Sequence, residues 1–412
     1  MTWNQRLVTM AYSCLALGLF LSTTLEAGFH IFLVLALFLN AKAIFKNFKS
    51  YPKSAMALFL FSIACIASVL FNQDIMLKGF ASVTKVKYYL IASLSILPIH
   101  FALKDAPIIK KNLIRVLMFA AVLGSLLGLF ALFKGHHLFG GKLACHETRN
   151  CGMSGMYMNY AHGLSFLLTL MLASLFDYIV RVYFSGDQQV IATTKKNWRE
   201  ILPLSWLVPI FIFLLFAFYM TFTRGAWLAF LILAPFYFLK NHLKKFLLLG
   251  GVCLISAFLV FQLVPKVRET FLNRQLSNDE RVGSFKAALY AFSERPILGY
   301  GLLNFEPHSS EIKERYGINN AYFKGHAHNN FLEFLATTGA IGFFFFVAFI
   351  YFVFQESFTR SDFLARIMPS LMVAFIAGGM TQSTFILADN TFFITGFFAL
   401  FAALNPRLKY VD

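Results

Sequence analysis

Apolar runs of about 20 residues recur along the chain, each long enough as a helix to cross roughly 30 Å of hydrocarbon. Short polar stretches separate them. The pattern predicts twelve spans, near residues 7–23, 27–45, 55–71, 82–102, 114–133, 157–180, 202–221, 225–240, 246–264, 330–354, 365–385 and 390–405. The first begins at Leu7 after Arg6 with no convincing small-residue cleavage site, so it reads as an uncleaved span rather than a signal peptide. The fourth carries Lys85 and Lys87 at its start. The expected fold is an all-α polytopic membrane protein, with residues 1–412 forming one integral membrane domain.

Two connections are long enough to carry structure of their own, 134–156 and 265–329. Within the second, residues 274–292 have helical periodicity, with Val282, Phe285, Leu289 and Phe292 on one face of an amphipathic helix. The stretch "RPILGYG" at 295–301 is a Pro/Gly turn that ends it.

Composition agrees with the pattern. The chain is 58% hydrophobic and 13% charged, where a soluble protein carries roughly a quarter charged residues. A net charge of +17 would suggest nucleic acid in a soluble protein. Here it divides between two faces, and no nucleic-acid partner is expected. One face collects Lys42, Lys46, Lys49 and Lys53; Lys104, Lys110, Lys111 and Arg115; Arg181, Lys195, Lys196 and Arg199; Lys240, Lys244 and Lys245; Arg360 and Arg366; and Arg407 and Lys409. By the positive-inside rule that face is cytoplasmic, and an even number of spans puts both termini there. The outer segment 265–329 is also basic, with Lys266, Arg268, Arg274, Arg281, Lys286, Arg295, Lys313, Arg315 and Lys324. Long loops translocate largely regardless of charge. Two readings therefore stay open, a solvated charge-mixed loop and a basic floor facing an anionic lipid-linked substrate.

Cys14, Cys65 and Cys253 fall in spans and read as packing residues. Cys145 and Cys151 share the outer loop "CHETRNC", where an oxidising compartment permits a structural disulfide, free thiols being the alternative. A zinc site would want more ligands than Cys145, His146 and Cys151 supply. "GHHLFGGKL" at 135–143 misplaces the first Gly of a nucleotide-binding loop and lacks Ser or Thr after Lys142. There is no HExxH, no Asp-x-Asp pair, no carboxylate cluster for Mg²⁺, and no chain of acids within the spans such as an ion-coupled pump needs. No metal and no cofactor is expected, and any chemistry must draw on the chain's own cations.

"TFTRGAWLAF" (221–230) places Arg224 in a very short outer turn, beside Gly225 and Ala226. It either snorkels to headgroups or binds an anion. Arg281 in "SNDERVGSF" is less distinctive, as is His326. "GHAHNNFLEFLATTGAIG" (325–342) sets His328 and Asn329 at the mouth of an apolar run. A helix starting there would present free backbone N–H groups and the positive end of its dipole, which suits phosphate and keeps an imidazole neutral. Gly339 lies eleven residues on, about three turns, and so on nearly the same face as His328. With Ala336, Ala340 and Gly342 it makes a small-residue face for close helix packing.

These residues resemble the bacterial O-antigen ligases and their relatives, the O-antigen polymerases and pilin oligosaccharyltransferases. Arg224 to Leu228 in "RGAWL" is similar to the family's R-x3-L element. His328, Asn329, Gly339 and Gly342 match its H-[N/S/Q]-x9-G-x2-[G/T/Y] element at every defined position. "ERPILGYG" resembles the Pro-x2-Gly-x-Gly turn that precedes the histidine, with an upstream Arg that maps to Arg281. The resemblance covers roughly residues 205–345. Family members also carry an acidic residue near the last outer turn, a place that Asp389 or Gln382 fills here.

The resemblance implies a GT-C-like glycosyltransferase of the Gram-negative inner membrane with its active site on the periplasmic side. It implies an undecaprenyl-diphosphate-linked O-antigen donor, a lipid A–core acceptor and surrounding membrane lipids. Arg224 and Arg281 would neutralise the leaving diphosphate, and His328 would act as base or phosphate ligand. Asn329, Lys85, Lys87, His326 and Asp389 complete the expected substrate-binding set, and Gly339, Gly342, Cys145 and Cys151 the structural one. A polymerase or a protein-glycosylating enzyme would use the same donor. A transporter would instead show inverted repeats and broken helices, and no convincing repeat relates residues 1–200 to 200–400.

Overall fold

The computed structural model describes residues 1–412 except 78, 139–142, 202, 234–242, 264, 266–267, 269–274, 320–324, 409 and 411–412. Part of the expected span 225–240 therefore lies outside the described residues, as do Lys142, Lys240, Lys266, Arg274, Lys324 and Lys409. So do the side chains of Lys245 and Cys253.

The described chain is helical, with one isolated bridge between His136 and Leu143 and no strand among the described residues. Among the described residues, four helices are long and apolar enough to cross a membrane alone: Lys53–Leu70, Pro107–Lys134, Tyr157–Tyr183 and Asn330–Thr359. Three bent pairs qualify when each is counted as one span, which raises the number to seven. The protein is a multi-pass helical membrane protein. The shorter apolar helices Phe363–Gly379 and Ala388–Ala403 fall where the pattern predicts the last two spans.

The expected continuous span at 82–102 is not one helix. It comprises a 3₁₀ segment, Gly79–Val86, and two short helices, Lys87–Leu94 and Ile96–Leu103, with a bend of 47° between Ala81–Leu94 and Ile96–Leu103. The cause is local. Pro98 has no N–H to offer the Leu94 carbonyl four residues back, and that carbonyl accepts from the Tyr51 hydroxyl instead, at 3.0 Å. The Ser95 hydroxyl meanwhile bonds back to the Ile91 carbonyl at 2.6 Å. The expected span 27–45 likewise bends by 74°, beyond Leu39. There the Asn40 side chain bonds the Ala36 carbonyl at 2.8 Å and Asn4 Oδ1 at 3.0 Å.

Phenylalanine makes the centre of the bundle. Phe61, Phe334, Phe346, Phe375 and Phe385 are all buried and meet edge-on or tilted, with centroids 4.8–6.2 Å apart. Phe385 belongs to the turn between the last two helices, and its carbonyl accepts from the Tyr89 hydroxyl. The aromatic core thus fixes the turn 380–387 that the site depends on.

The helix Gln275–Glu294 forms where the amphipathic segment is expected, but it buries a different face. Gly283, Ser284, Ala287, Ala288 and Ala291 are inside, while Val282 and Leu289 are each 50% exposed. Small side chains let this helix lie close against Asn330–Thr359, and close approach rather than hydropathy decides the contact.

A second correction concerns Gly339. The helix Asn330–Thr359 is broken there, with Gly339 at φ 62°, ψ −164°, so no uninterrupted helical face joins it to His328. The turn 295–301 enters the break. Tyr300 N–H and Gly301 N–H donate to the carbonyls of Ala336 and Thr337, each at 2.9 Å. The N–H groups of Ala340 and Ile341, which those carbonyls would otherwise serve, donate to Pro296 and Ile297 at 2.8 and 3.3 Å. Both of these carbonyls and both N–H groups are thus taken up by the turn. A Cβ on Gly339 would lie 2.4 Å from the Ile297 carbonyl, and one on Gly299 2.5 Å from the Thr337 carbonyl carbon. Gly342 differs, because the three atoms nearest its hypothetical Cβ all belong to the Thr338 side chain rather than to backbone.

Candidate active site

Helix N-termini with left-handed residues beside them build this site. Among the described residues, three non-glycine positions have positive φ: Phe222, Leu303 and His328. Two of them, Phe222 (φ 48°) and His328 (φ 50°), flank the two motifs and line one cavity. A bulky residue held left-handed costs on the order of 1–3 kcal/mol and persists where its surroundings over-determine it.

At His328 those surroundings are explicit. Three consecutive residues pair in register with the turn after Gly379. His328 Nδ1 lies 2.8 Å from Gln382 Oε1, and Asn329 N–H donates to Ser383 Oγ at 3.2 Å. Asn330 donates to Thr384 Oγ1 at 3.0 Å and accepts from Phe385 N–H at 2.9 Å. With a carbonyl oxygen facing it, Nδ1 carries the imidazole proton and donates it, which leaves Nε2 as the proton acceptor. On the other side Glu333, fully buried, accepts from Ala327 N–H at 2.7 Å.

The first turn does not offer the free backbone N–H groups expected from the sequence. Asn329 is the N-cap, and its Oδ1 accepts from Phe331 and Leu332 N–H at 2.9 and 3.2 Å. The helix end is satisfied by its own cap, so an anion in the cavity would rely on side chains.

The cavity has a volume of about 420 Å³, and Arg224, Arg281 and His328 all line it. Arg224 opens the helix Arg224–Leu233, whose Gly225 lies so close to Thr381 that a Cβ would sit 2.4 Å from its hydroxyl. That contact joins the Arg224 turn to the Gln382 turn. Arg281 arrives from the Gln275–Glu294 helix. Further lining residues are Arg149, Tyr157, Met158, His162, Phe222, Thr223, Gly225, Leu228, Glu280, Thr381 and Gln382. Three arginines face one glutamate, so the cavity is cationic. His162 is 1% exposed, and its Nδ1 is buried without a hydrogen-bond partner among the described residues.

The other expected binding residues sit elsewhere. Lys85 approaches the Tyr88 hydroxyl at 3.3 Å, and Lys87 stands over the Tyr88 ring at 5.5 Å. Asp389 is buried in the first turn of Ala388–Ala403 beside Glu26, with Lys85 close by. His326 lies between Glu306 (3.6 Å) and the buried Glu333 (3.9 Å). None of these four lines the cavity, nor does Asn329.

Several cations of the basic segment 265–329 are taken up away from the cavity. Arg295 binds Asn72 and Asp74, Arg315 binds Glu294 and Glu311, and Lys313 is 1% exposed. Of its described cations, Arg281 is the one lining the cavity. Cys145 and Cys151 are joined in a disulfide.

Burial holds the His328 pKa below the ordinary imidazole value; the Arg281 charge adds to this, and the Gln382 hydrogen bond opposes it. His328 is therefore neutral at neutral pH. Arg281→Gln removes one lowering influence, so the acidic limb of kcat/KM for residual activity should move to higher pH. A pH–rate profile checks this, and an unmoved limb would separate Arg281 from His328.

Fold and site together define a multi-pass membrane protein with a cationic, histidine-bearing cavity among the ends of its helices, suited to an anionic group. Residues 209–347 match the family model described as O-Antigen ligase. Over that segment the chain is similar to the O-antigen ligase and polymerase superfamily, whose members are glycosyltransferase-like enzymes acting on lipid-linked sugars. The segment contains Arg224, Arg281, His328, Gly339 and Gly342; Arg149, Tyr157, His162 and Gln382 lie outside it. A search of curated proteins gives no match.

Proposed function

We propose that the protein is an O-antigen ligase. In this reading it takes a polysaccharide from undecaprenyl diphosphate and joins it to a sugar hydroxyl of lipid A–core. The observation that carries the reading is the convergence of Arg224, Arg281 and His328, from three separate helices or their mouths, on one cavity. The acceptor oxygen attacks the anomeric carbon, a new glycosidic bond forms, and the bond from that carbon to the diphosphate oxygen breaks. The hydroxyl proton passes to His328 Nε2, whose other nitrogen is held by Gln382. Negative charge grows on the departing diphosphate, and Arg224 and Arg281 neutralise it with forked, permanently charged donors. Such preorganised stabilisation is commonly the largest catalytic contribution. A single displacement inverts the anomeric centre.

The same reading puts the protein in the inner membrane of a Gram-negative cell, with twelve spans, a GT-C-like architecture, cytoplasmic termini and a periplasmic cavity. Lys85, Lys87 and Asp389 would then act beyond the cavity, on the donor's approach. The lipopolysaccharide gel profile of a deletion strain tests the assignment. Loss of the whole long-chain ladder, with lipid-linked polymer accumulating, is expected. A single repeat capping the core would indicate the polymerase activity instead.

A further inference from the structure

Outside the segment matched by the family model, one stretch of chain reaches the cavity on a closed ring. The disulfide between Cys145 and Cys151 ties residues six apart, with Cα atoms 6.3 Å apart. Asn150 inside that ring is fully buried and pins it. Its backbone N–H donates to the Met220 carbonyl at 2.8 Å and its side chain to the Ala217 carbonyl at 3.1 Å. Its Oδ1 accepts from Gly152 N–H at 3.0 Å. Gly128 admits it, since a Cβ there would lie 2.5 Å from Asn150 Oδ1. The ring is thus fastened to the end of the helix Leu204–Tyr219, immediately before the turn that bears Arg224.

Next to Asn150 stands Arg149. Its guanidinium lies over the Tyr157 ring at 4.4 Å, and both residues line the cavity with Arg224, Arg281 and His328. His146, from the same ring, meets Tyr157 edge-on at 5.4 Å. A guanidinium stacked on an aromatic face keeps its donor fork in one defined plane, the arrangement that grips two phosphate oxygens at once. A short ring closed by a disulfide and pinned by a buried asparagine loses little further entropy when it binds.

We propose that Arg149 is a third phosphate-binding cation of this cavity, and that the Cys145–Cys151 ring is the device that presents it. The ligand is a phosphate group carried by a substrate, either the diphosphate of the lipid-linked donor or a phosphate of the acceptor core. The proposal rests on the glycosyl-transfer reading for its substrates but not for its test.

Binding is measured on the purified full-length protein with two probes, glycan-free undecaprenyl diphosphate and phosphorylated lipid A–core. Arg149→Gln should weaken one of them roughly tenfold, the loss expected from a forked, charge-assisted contact. Arg149→Lys, which keeps the charge but not the fork, should lie between wild type and Arg149→Gln. A change for undecaprenyl diphosphate assigns the donor and a change for lipid A–core assigns the acceptor; no change for either overturns the proposal. The double variant Cys145→Ser, Cys151→Ser should weaken the same probe severalfold, and adding Arg149→Gln to it should cost less than in the wild type. Wild-type affinity in the double variant would overturn the role of the ring. In transfer assays a contact to an acceptor phosphate should show in Arg149→Gln as a raised acceptor KM with kcat nearly unchanged, whereas a contact to the leaving diphosphate should lower kcat as well. Wild-type protein that binds both probes but transfers nothing counts against the ligase reading and leaves the Arg149 result standing.

Discussion

His328→Ala transfers glycan roughly 10²- to 10⁴-fold more slowly than the wild type, the usual contribution of a positioned general base, while retaining its fold and its donor affinity. The fold should survive because the neighbouring pairings of Asn329 with Ser383 and of Asn330 with Thr384 and Phe385 do not involve the imidazole. Alanine remains strained at φ 50° and relieves little of the backbone cost. Single-turnover rates with saturating donor check the number. His328→Gln then separates the two possible roles. A base predicts loss of rate together with loss of the acidic limb in the pH profile. A pure phosphate ligand predicts a raised donor KM with the limb intact.

Gly339→Ala is expected to be the most damaging change to structure. Its Cβ would stand 2.4 Å from a backbone carbonyl, at φ 62°, where neither side can yield without breaking the exchanged hydrogen bonds of the turn 295–301. The left-handed penalty and the overpacking together come to about 2–4 kcal/mol. Gly342→Ala, whose three nearest contacts belong to the Thr338 side chain rather than to backbone and which has no positive φ, should cost less. Thermal unfolding of the two purified variants compares them. Activity should fall with stability in Gly339→Ala, because the turn it displaces joins the Arg281 helix to the His328 helix.

This break explains why two sequence elements that look independent belong together. The Pro-x2-Gly-x-Gly turn and the glycine eleven residues after the histidine are two sides of one joint. Gly299 and Gly339 are each placed so that the other segment's backbone occupies the space of a side chain. The motif was legible in the sequence, but its geometry was not, since spacing alone suggests a continuous helix and a positive φ leaves no periodic trace.

Other differences have equally local causes. Hydropathy merges residues 82–102 into one span, although Ser95 and Pro98 already carry the chemistry that bends it. Periodicity finds the helix at 275–294 but picks the large apolar residues as its buried face. The helix instead buries Gly283, Ser284 and three alanines, because the contact with Asn330–Thr359 is set by how closely two backbones approach. Arg224 and His328 are legible as polar groups in informative settings, whereas Arg281 is reached only through the family resemblance. Arg149 carries no signal in the sequence beyond a place between two cysteines, and His162 none beyond a place inside an apolar run. Both owe their importance to tertiary contacts with distant segments. The register of residues 328–330 on 382–385 is of the same kind, although Gln382 was visible as an alternative to Asp389.

Reconstituted transfer tests the central claim most directly. Purified protein is mixed with undecaprenyl-diphosphate-linked O-antigen and lipid A–core, with a chelator present and no nucleotide added. The wild type should form O-antigen-bearing lipopolysaccharide with inversion at the anomeric carbon, and Arg224→Gln should lower the rate by two orders of magnitude or more, the scale of losing one preorganised charge-stabilising donor. Retention of configuration, or an Arg224→Gln protein as fast as the wild type, would contradict the account.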